Sequence, residues 1–243
     1  MILQKGVFSE DKFQDTEKII RTYFSDVQIV SDIQITLNEL PPFNCHTPFR
    51  GAMTLAARMN RSYTFADATK WAPAFRKEIL SSDYKFLDAA NINDNFPVGP
   101  NFVRPTAGNK SFSGNIYTAY TFHNEYQFLT INKNEDPFTL CMISTKKIIH
   151  KEWRTIFIDG EYCSGSQYMQ DGNLNVSSIV PTDVVAYAVK LSKDPYFQNI
   201  FEFVIDIAET YNGYKMLEVN GFETASFYDA DLDKIYQTWS QIF

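Results

Sequence analysis

The sequence predicts an α+β protein: antiparallel strand hairpins preceded by a small α/β unit. Three observations carry this reading. Two long apolar runs meet at Asp159-Gly160, a dipeptide suited to a two-residue hairpin turn. A second pair of runs, Phe201 to Glu209 and Tyr214 to Asn220, flanks Asn212-Gly213. Upstream, residues 1–83 mix helical stripes with short apolar runs, the pattern of a small α/β unit.

Taken in order, Phe13, Ile19, Ile20, Tyr23 and Phe24 form one helical stripe. Val27 to Val30 and Ile33 to Leu37 read as short strands. Pro41-Pro42 and Pro48 mark a loop, and residues 49–60 read as a helix of well-spaced Ala, Met and Leu. Trp71 to Leu80 reads as a second helix, with Pro73 in its first turn. Strands follow at Asp83 to Asp88 and Asn101 to Arg104, and a small-residue loop fills 105–114. Thr139 to Ser144, Ile148 to Ile158 and Glu161 to Met169 are strands, and residues 170–180 are a loop. Pro181 to Ser192 is a helix with proline at its start, and Ala230 to Phe243 closes the chain as a helix. No internal repeat or low-complexity tract is visible.

The chain has 243 residues, enough to bury roughly 70–75% of its unfolded surface without metals or disulfides. Apolar content is 44%, with 21 Phe and 14 Tyr, which excludes disorder of the whole chain. Lys plus Arg number 22 against 29 Asp plus Glu, a formal net charge of −7. That balance argues against a nucleic-acid binder, which neutralises phosphates with clustered cations. No apolar run reaches the roughly 18–20 residues of a membrane span, and the first residues lack a signal-peptide core. A cytoplasmic location is the expectation. Cys45, Cys141 and Cys163 are too few and too scattered for a disulfide framework. The adjacent Cys45-His46 lacks the further ligands of a zinc site.

Three features carry chemistry. Asp206 and Glu218 interrupt the last hairpin, and acids within apolar strands are costly unless paired or bound to metal. With a two-residue Asn212-Gly213 turn, the two acids fall on opposite faces. With a three-residue Tyr211-Asn212-Gly213 loop, Gly213 takes a left-handed conformation and Asp206 sits opposite Glu218. Asn220 then shares their face, completing an oxygen-only set suited to Mg²⁺. Two acids pointing into solvent is the competing reading. Second, the loop after Arg104 gathers Gly108, Lys110 and Gly114 among small polar residues. Such a loop can bring backbone N–H groups and an ammonium onto phosphate, though an ordinary surface loop has the same composition. Third, Glu152 and Arg154 project to one face of a strand and Trp153 to the other. A two-residue Asp159-Gly160 turn places Gln167 opposite Glu152, and Gly165 opposite Arg154 with room beside its guanidinium. Arg154 is then either a fork aimed at phosphate or half of an internal ion pair.

In this order the three features resemble the ATP-grasp family, more narrowly its compact clade common in bacteriophage genomes. The matching strings are Phe102-Val-Arg-Pro105 through Lys110 to Gly114, Ser144 followed by Glu152-Trp-Arg154, Ile158 to Tyr168, Phe203-Val-Ile-Asp-Ile-Ala208 and Leu217-Glu-Val-Asn-Gly-Phe222. The resemblance runs from about residue 84 to the end. It implies an ATP-grasp fold at 84–243, with two α+β lobes, 84–145 and 146–243, clamping ATP behind a pre-grasp-like unit at 1–83. Arg104 stands where many relatives carry lysine, and the loop holds only two glycines.

By the same resemblance, Arg104 and Lys110 contact phosphates, and the segment around Ser144, Lys146 and Ile148 is the hinge whose backbone reads adenine. Glu152 and Arg154 complete the ATP site, and Asp206, Glu218 and Asn220 hold Mg²⁺. Lys110 and Arg154 are the catalytic cations. The implied cofactors are ATP and Mg²⁺. The implied reaction is carboxylate–amine ligation through an acyl-phosphate, on a partner such as an amino acid, peptide or protein. A phosphotransferase on the same fold and a non-catalytic phage-encoded binding factor are the alternatives, with host cytoplasm the location for a phage product. Residues 1–90 and 170–180, with Arg50, Arg58 and Arg61, are the candidates for substrate choice.

Overall fold

The computed structural model describes every residue except 7–9, 45, 62, 108–111, 133–135 and 137. Lys110 and Cys45 therefore lie outside the described residues. The chain begins with β1 (Ile2–Gln4), helix α1 (Glu10–Tyr23) and β2 (Gln28–Val30). Helix α2 (Asp32–Thr36) and β3 (Phe49–Arg50) follow, and β1 pairs in parallel with both β2 and β3. The α1 stripe works as expected: Phe13 and Ile20 are buried. The segment Ile33 to Leu37, expected as a strand, is α2 instead. Ser31 caps it by accepting from the Gln34 amide, and the Gln34 side chain reaches back to the Ser31 N–H. This reciprocal box turns a short apolar run into a helix.

The expected helix at 49–60 divides into β3 and α3 (Met53–Arg58). Gly51 separates them, because a Cβ there would lie 2.6 Å from Gln4 Oε1. Helix α4 (Ala68–Ala74) starts earlier than expected, capped by Asp67, so Pro73 sits inside the helix rather than in its first turn.

The middle of the chain builds a four-stranded antiparallel sheet from β4 (Lys85–Asp88), β5 (Asn101–Pro105), β6 (Asn115–Tyr117) and β7 (Leu140–Thr145). Its order is β4-β7-β5-β6. Helices α5 (Ala89–Asp94) and α6 (Ala119–Gln127) cover one side and enclose Ile92, Val103, Phe122 and Cys141. The last third forms a five-stranded antiparallel sheet: β8 (Lys151–Ile158), β9 (Glu161–Gln170), β10 (Asn173–Ser177), β11 (Glu202–Thr210) and β12 (Gly213–Gly221), in the order β10-β9-β8-β11-β12. The expected loop at 170–180 thus contains an edge strand, while residues 146–150 lie outside the ladders and bridge the two sheets.

Alternation along β8 and β11 divides the core. Trp153, Phe157, Phe203 and Ile205 face α4 and α7 (Thr182–Ser192). Ile156, Ile158 and Val204 face a second cluster with Leu3, Phe13 and Trp239, the last on α8 (Leu232–Ser240). No described helix is long and apolar enough to cross a membrane.

Glu202 opens β11 with its carboxyl pushed up to about 7, first by burial and then by the Glu223 charge, with Arg61 partly offsetting both. A carboxyl raised in the fold disfavours its ionised form there. Its stabilising contribution is complete below its ordinary value of 4.5 and lost as pH rises through about 7. Glu202→Gln is expected to raise the melting temperature above neutral pH and leave it unchanged in mild acid. Equal shifts in both, by scanning calorimetry, would contradict this.

Candidate active site

A cleft of about 790 Å³ opens between the four- and five-stranded sheets. Arg104 and Phe112 line one wall, Lys146 and Ile148 the back, and Glu152 and Glu218 the floor. The back wall is the segment joining β7 to β8. Asp83 anchors it, accepting from the Thr145 N–H and hydroxyl and pairing with Lys147 at 2.8 Å. The Ser144 side chain is turned away into the protein, where its hydroxyl lies 3.0 Å from that of Ser81. Of the residues assigned to the hinge, Lys146 and Ile148 reach the cleft and the Ser144 side chain does not.

On the floor, Asp206 pairs opposite Glu218, and Asn220 joins them. The Asn220 amide nitrogen lies 3.2 Å from Asp206 Oδ2 and 2.9 Å from Glu218 Oε1. The expected face is right, but its cause differs. Near the turn, Thr210 pairs with Gly213 and Ile207 with Met216, a register that would place Leu217 opposite Asp206. A β-bulge at Leu217 adds one residue and brings Glu218 across from Asp206 instead. The edge of β12 is held there from outside: the Met216 N–H donates to the Glu78 carbonyl, and the Leu80 N–H donates to the Met216 carbonyl. Gly213 adopts φ +89°, the left-handed conformation expected of it.

Arg154 lies beneath the cleft rather than in its lining. Its Nε and Nη2 donate to the two oxygens of fully buried Asp206 at 2.9 and 2.7 Å, and its Nη1 donates to the Ser226 carbonyl. The internal ion pair is therefore the observed arrangement. Burial works against the guanidinium's charge, and the Asp206 carboxylate more than offsets it, so the Arg154 pKa is raised. Two bulges in β9 also change the expected register. Arg154 pairs with Ser166, Glu152 with Met169, and Gly165 with Thr155. Gly165 thus makes room for the Arg154 carbonyl oxygen, not for its guanidinium; a Cβ would lie 2.8 Å from that oxygen.

From the facing sheet, Arg104 crosses the cleft to Glu218 at 2.5 Å. Its guanidinium lies 5.8 Å from the Trp71 ring. Gly114 brings the returning loop close, because a Cβ there would meet the Arg104 Cβ at 3.0 Å. Two tyrosines complete the site without a sequence signal. The Tyr168 and Tyr228 rings stack 4.9 Å apart, and each faces the Arg154 guanidinium, at 5.4 and 5.2 Å. Tyr168 is the extra residue of a bulge, and Tyr228 lies in the loop before α8, so neither periodicity nor turn chemistry marks them. Arg50 is unsuited to meet an acidic substrate: it is buried and donates to the Phe222 and Ala225 carbonyls. Arg61 donates to the Thr47 carbonyl, and exposed Arg58 to that of Thr36.

The residues fit a divalent cation by their donor chemistry. Two carboxylates and an amide converge, and turning the Asn220 amide would present its oxygen in place of its nitrogen. Among the described residues no three His, Cys, Asp or Glu groups converge, so phosphate or water oxygens would have to complete the shell.

A hinge, a floor of acids and a cross-cleft arginine between two antiparallel sheets agree with a family match. The family model for the ATP-grasp domain, family 3 of its clade, matches residues 50–240. The chain belongs to the ATP-grasp family. Solved structures share its ATP-grasp fold at low identity. D-cycloserine synthetase DcsG superposes with a TM-score of 0.60 at 14% identity, over 100% of this chain and 99% of that one. The ATP-grasp ligase PsnB complexed with minimal precursor gives 0.55 at 13%, over 98% and 97%. D-alanine–D-alanine ligase from Bacillus anthracis gives 0.56 at 12%, over 99% and 94%. No curated protein matches the chain.

Proposed function

We propose that this ATP-grasp protein is an ATP- and Mg²⁺-dependent ligase. It activates a carboxylate as an acyl-phosphate, which an amine or similar nucleophile then captures. One observation carries the reading. Arg104 and Arg154 are each matched to an acid, Glu218 and Asp206, around one amide, at the floor of a nucleotide-sized cleft. Such a constellation can exchange partners. Mg²⁺ held by Asp206, Glu218 and Asn220 would supply charge neutralisation at the phosphates. Arg104, relieved of Glu218, can then turn to phosphate oxygens, while Lys146 to Ile149 offer backbone groups to the base. Arg154 holds Asp206 in place from below. Phosphoryl transfer asks mainly for positioning and charge complementarity, which these groups can supply without a covalent intermediate on the protein.

The acyl-phosphate must be kept from water, and the loop at 105–114 is placed to cover the cleft: Phe112 and Ser113 already line it. Lys110, within that loop, is proposed as a further phosphate contact. The three sheets support a division into an N-terminal unit at 1–83 and two lobes at 84–145 and 146–243. A peptide or protein acceptor is favoured by the likeness to PsnB, a ligase solved with its precursor.

The test is ADP release in the presence of Mg²⁺, screened against amino acids, peptides and proteins. Release should require both a carboxylate and a nucleophile. Phosphorylated product without coupling would sink the ligase reading. Glu218→Gln keeps the side-chain shape but removes one cation ligand and the Arg104 partner. It is expected to weaken Mg–ATP binding by roughly tenfold to a hundredfold, the scale of disrupted metal shells. Unchanged binding by calorimetry would dismiss the proposed cation site.

A further inference from the structure

Tyr168 touches two groups that the proposed reaction needs on different sides of the floor. Its hydroxyl donates to Glu152 Oε2 at 2.6 Å, and Glu152 lines the cleft. Its ring faces the Arg154 guanidinium that holds Asp206. The bulge that makes Tyr168 the extra residue of β9 lies between the Glu152 and Trp153 pairings, beside the strand positions of both partners.

The other face of the Tyr168 ring is fixed as well. Tyr228 stacks on it with the ring planes 8° apart. Tyr228 has φ +53°, an uncommon backbone state for a residue with a large side chain. The loop is pinned where it passes β9: the Asp229 N–H donates to Ser166 Oγ at 3.2 Å, and the Asp231 N–H to Ser164 Oγ at 3.0 Å. The Ser226 carbonyl accepts from Arg154. The phenol is thus held at its ring by Arg154 and Tyr228, which leaves its hydroxyl one direction, toward Glu152.

We propose that Tyr168 is a positioning residue that orients the Glu152 carboxylate toward nucleotide in the cleft. This rests on the ATP reading above. With one oxygen occupied by the phenol, Glu152 presents the other to a donor on the ligand. The hinge backbone serves the base, so the sugar hydroxyls are the nucleotide donors left for a carboxylate. Glu152 has four charged or titratable neighbours: Tyr168 on β9, Arg154 on β8, Asp206 on β11 and Glu218 on β12. Tyr228 adds a ring from the C-terminal loop, and Lys146 shares the cleft. Burial raises the Glu152 pKa, the Tyr168 hydrogen bond lowers it, and the acids raise it again. Loss of the phenol hydroxyl should therefore let Glu152 keep its proton to higher pH.

The experiment compares the wild-type chain with Tyr168→Phe, which keeps the ring and the stack. Two readouts are taken: the Glu152 carboxyl titration by carbon NMR without ligand, and Mg–ATP affinity by calorimetry across pH. The expected result is an upward shift of the Glu152 titration, affinity about tenfold weaker near neutral pH, and an acid limb moved to higher pH. Melting temperature should change little. An unchanged Glu152 titration, or ATP affinity with the wild-type value and pH profile, would overturn the positioning role. A wild type that takes up no Mg–ATP would overturn the ATP reading, and this role with it. That failure is recognised in the wild type alone, before any variant is compared.

Discussion

Replacing Asp206 with alanine is expected to lower stability by about 3–5 kcal/mol and abolish ATP turnover at the same time. Asp206 is fully buried and accepts from both Arg154 Nε and Nη2. Removing it strands a guanidinium whose side chain is only 9% exposed. Nearby Glu152 cannot take over without leaving Tyr168. For a protein of this size the loss corresponds to roughly 10 °C in melting temperature. The pair's structural and functional roles can be separated. Arg154→Met with Asp206→Leu leaves no buried charge, so stability should largely return while Mg–ATP binding stays absent. A double variant no more stable than Asp206→Ala would show that the pair itself, rather than the stranded charge, stabilises the fold. Retained ATP turnover in either variant would remove Asp206 from the proposed site.

Gly165→Ala carries the second large effect, expected at about 1–3 kcal/mol by overpacking, together with weaker ATP binding. The added Cβ would stand 2.8 Å from the Arg154 carbonyl oxygen, 3.0 Å from the Tyr162 hydroxyl and 3.2 Å from Val180 Cγ2. The side-chain contacts can yield; the carbonyl belongs to the β8–β9 ladder and cannot move without displacing Arg154 itself. Denaturant unfolding measures the loss, and Val180→Ala in the same chain should recover little of it. Full recovery would mean that the valine, not the strand backbone, sets the cost.

Both predictions come from places where the residues are visible in the sequence and their reason for meeting is not. Asp206 and Glu218 stand out as acids in apolar strands, and Arg154 as a cation flanked by Glu152 and Trp153. A three-residue loop at Tyr211-Asn212-Gly213 would give the acids a shared face. The structure reaches the same face through a bulge at Leu217, one residue pair farther along. The Gly165 expectation fails for the same kind of reason, since bulges in β9 move its partner from Arg154 to Thr155. Ile33 to Leu37 is too short a segment for apolar spacing to separate helix from strand. The Ser31–Gln34 cap decides it. Arg50 has the sequence context of a surface cation and is instead a buried tie to the Phe222 and Ala225 carbonyls.

By itself the sequence determined the composition of the site and the class of fold. Asp-Gly and Asn-Gly turns, alternating apolar runs and scattered helical stripes are local signals, readable over a few residues. The ordered strings around Arg104, Glu152-Trp153-Arg154, Asp206 and Glu218 point to the ATP-grasp family without knowledge of any contact. Only the tertiary structure decided which atoms meet. A bulge shifts register by one residue, and a one-residue shift exchanges the faces of a strand. Nothing in a period-two pattern shows where the extra residue will sit. Here the segment Glu78 to Leu80 grips Met216 beside one bulge, and the loop carrying Tyr228 presses on the residue of another. Those contacts join positions more than a hundred residues apart, or strands to a loop without regular structure, and become visible only when the chain is folded.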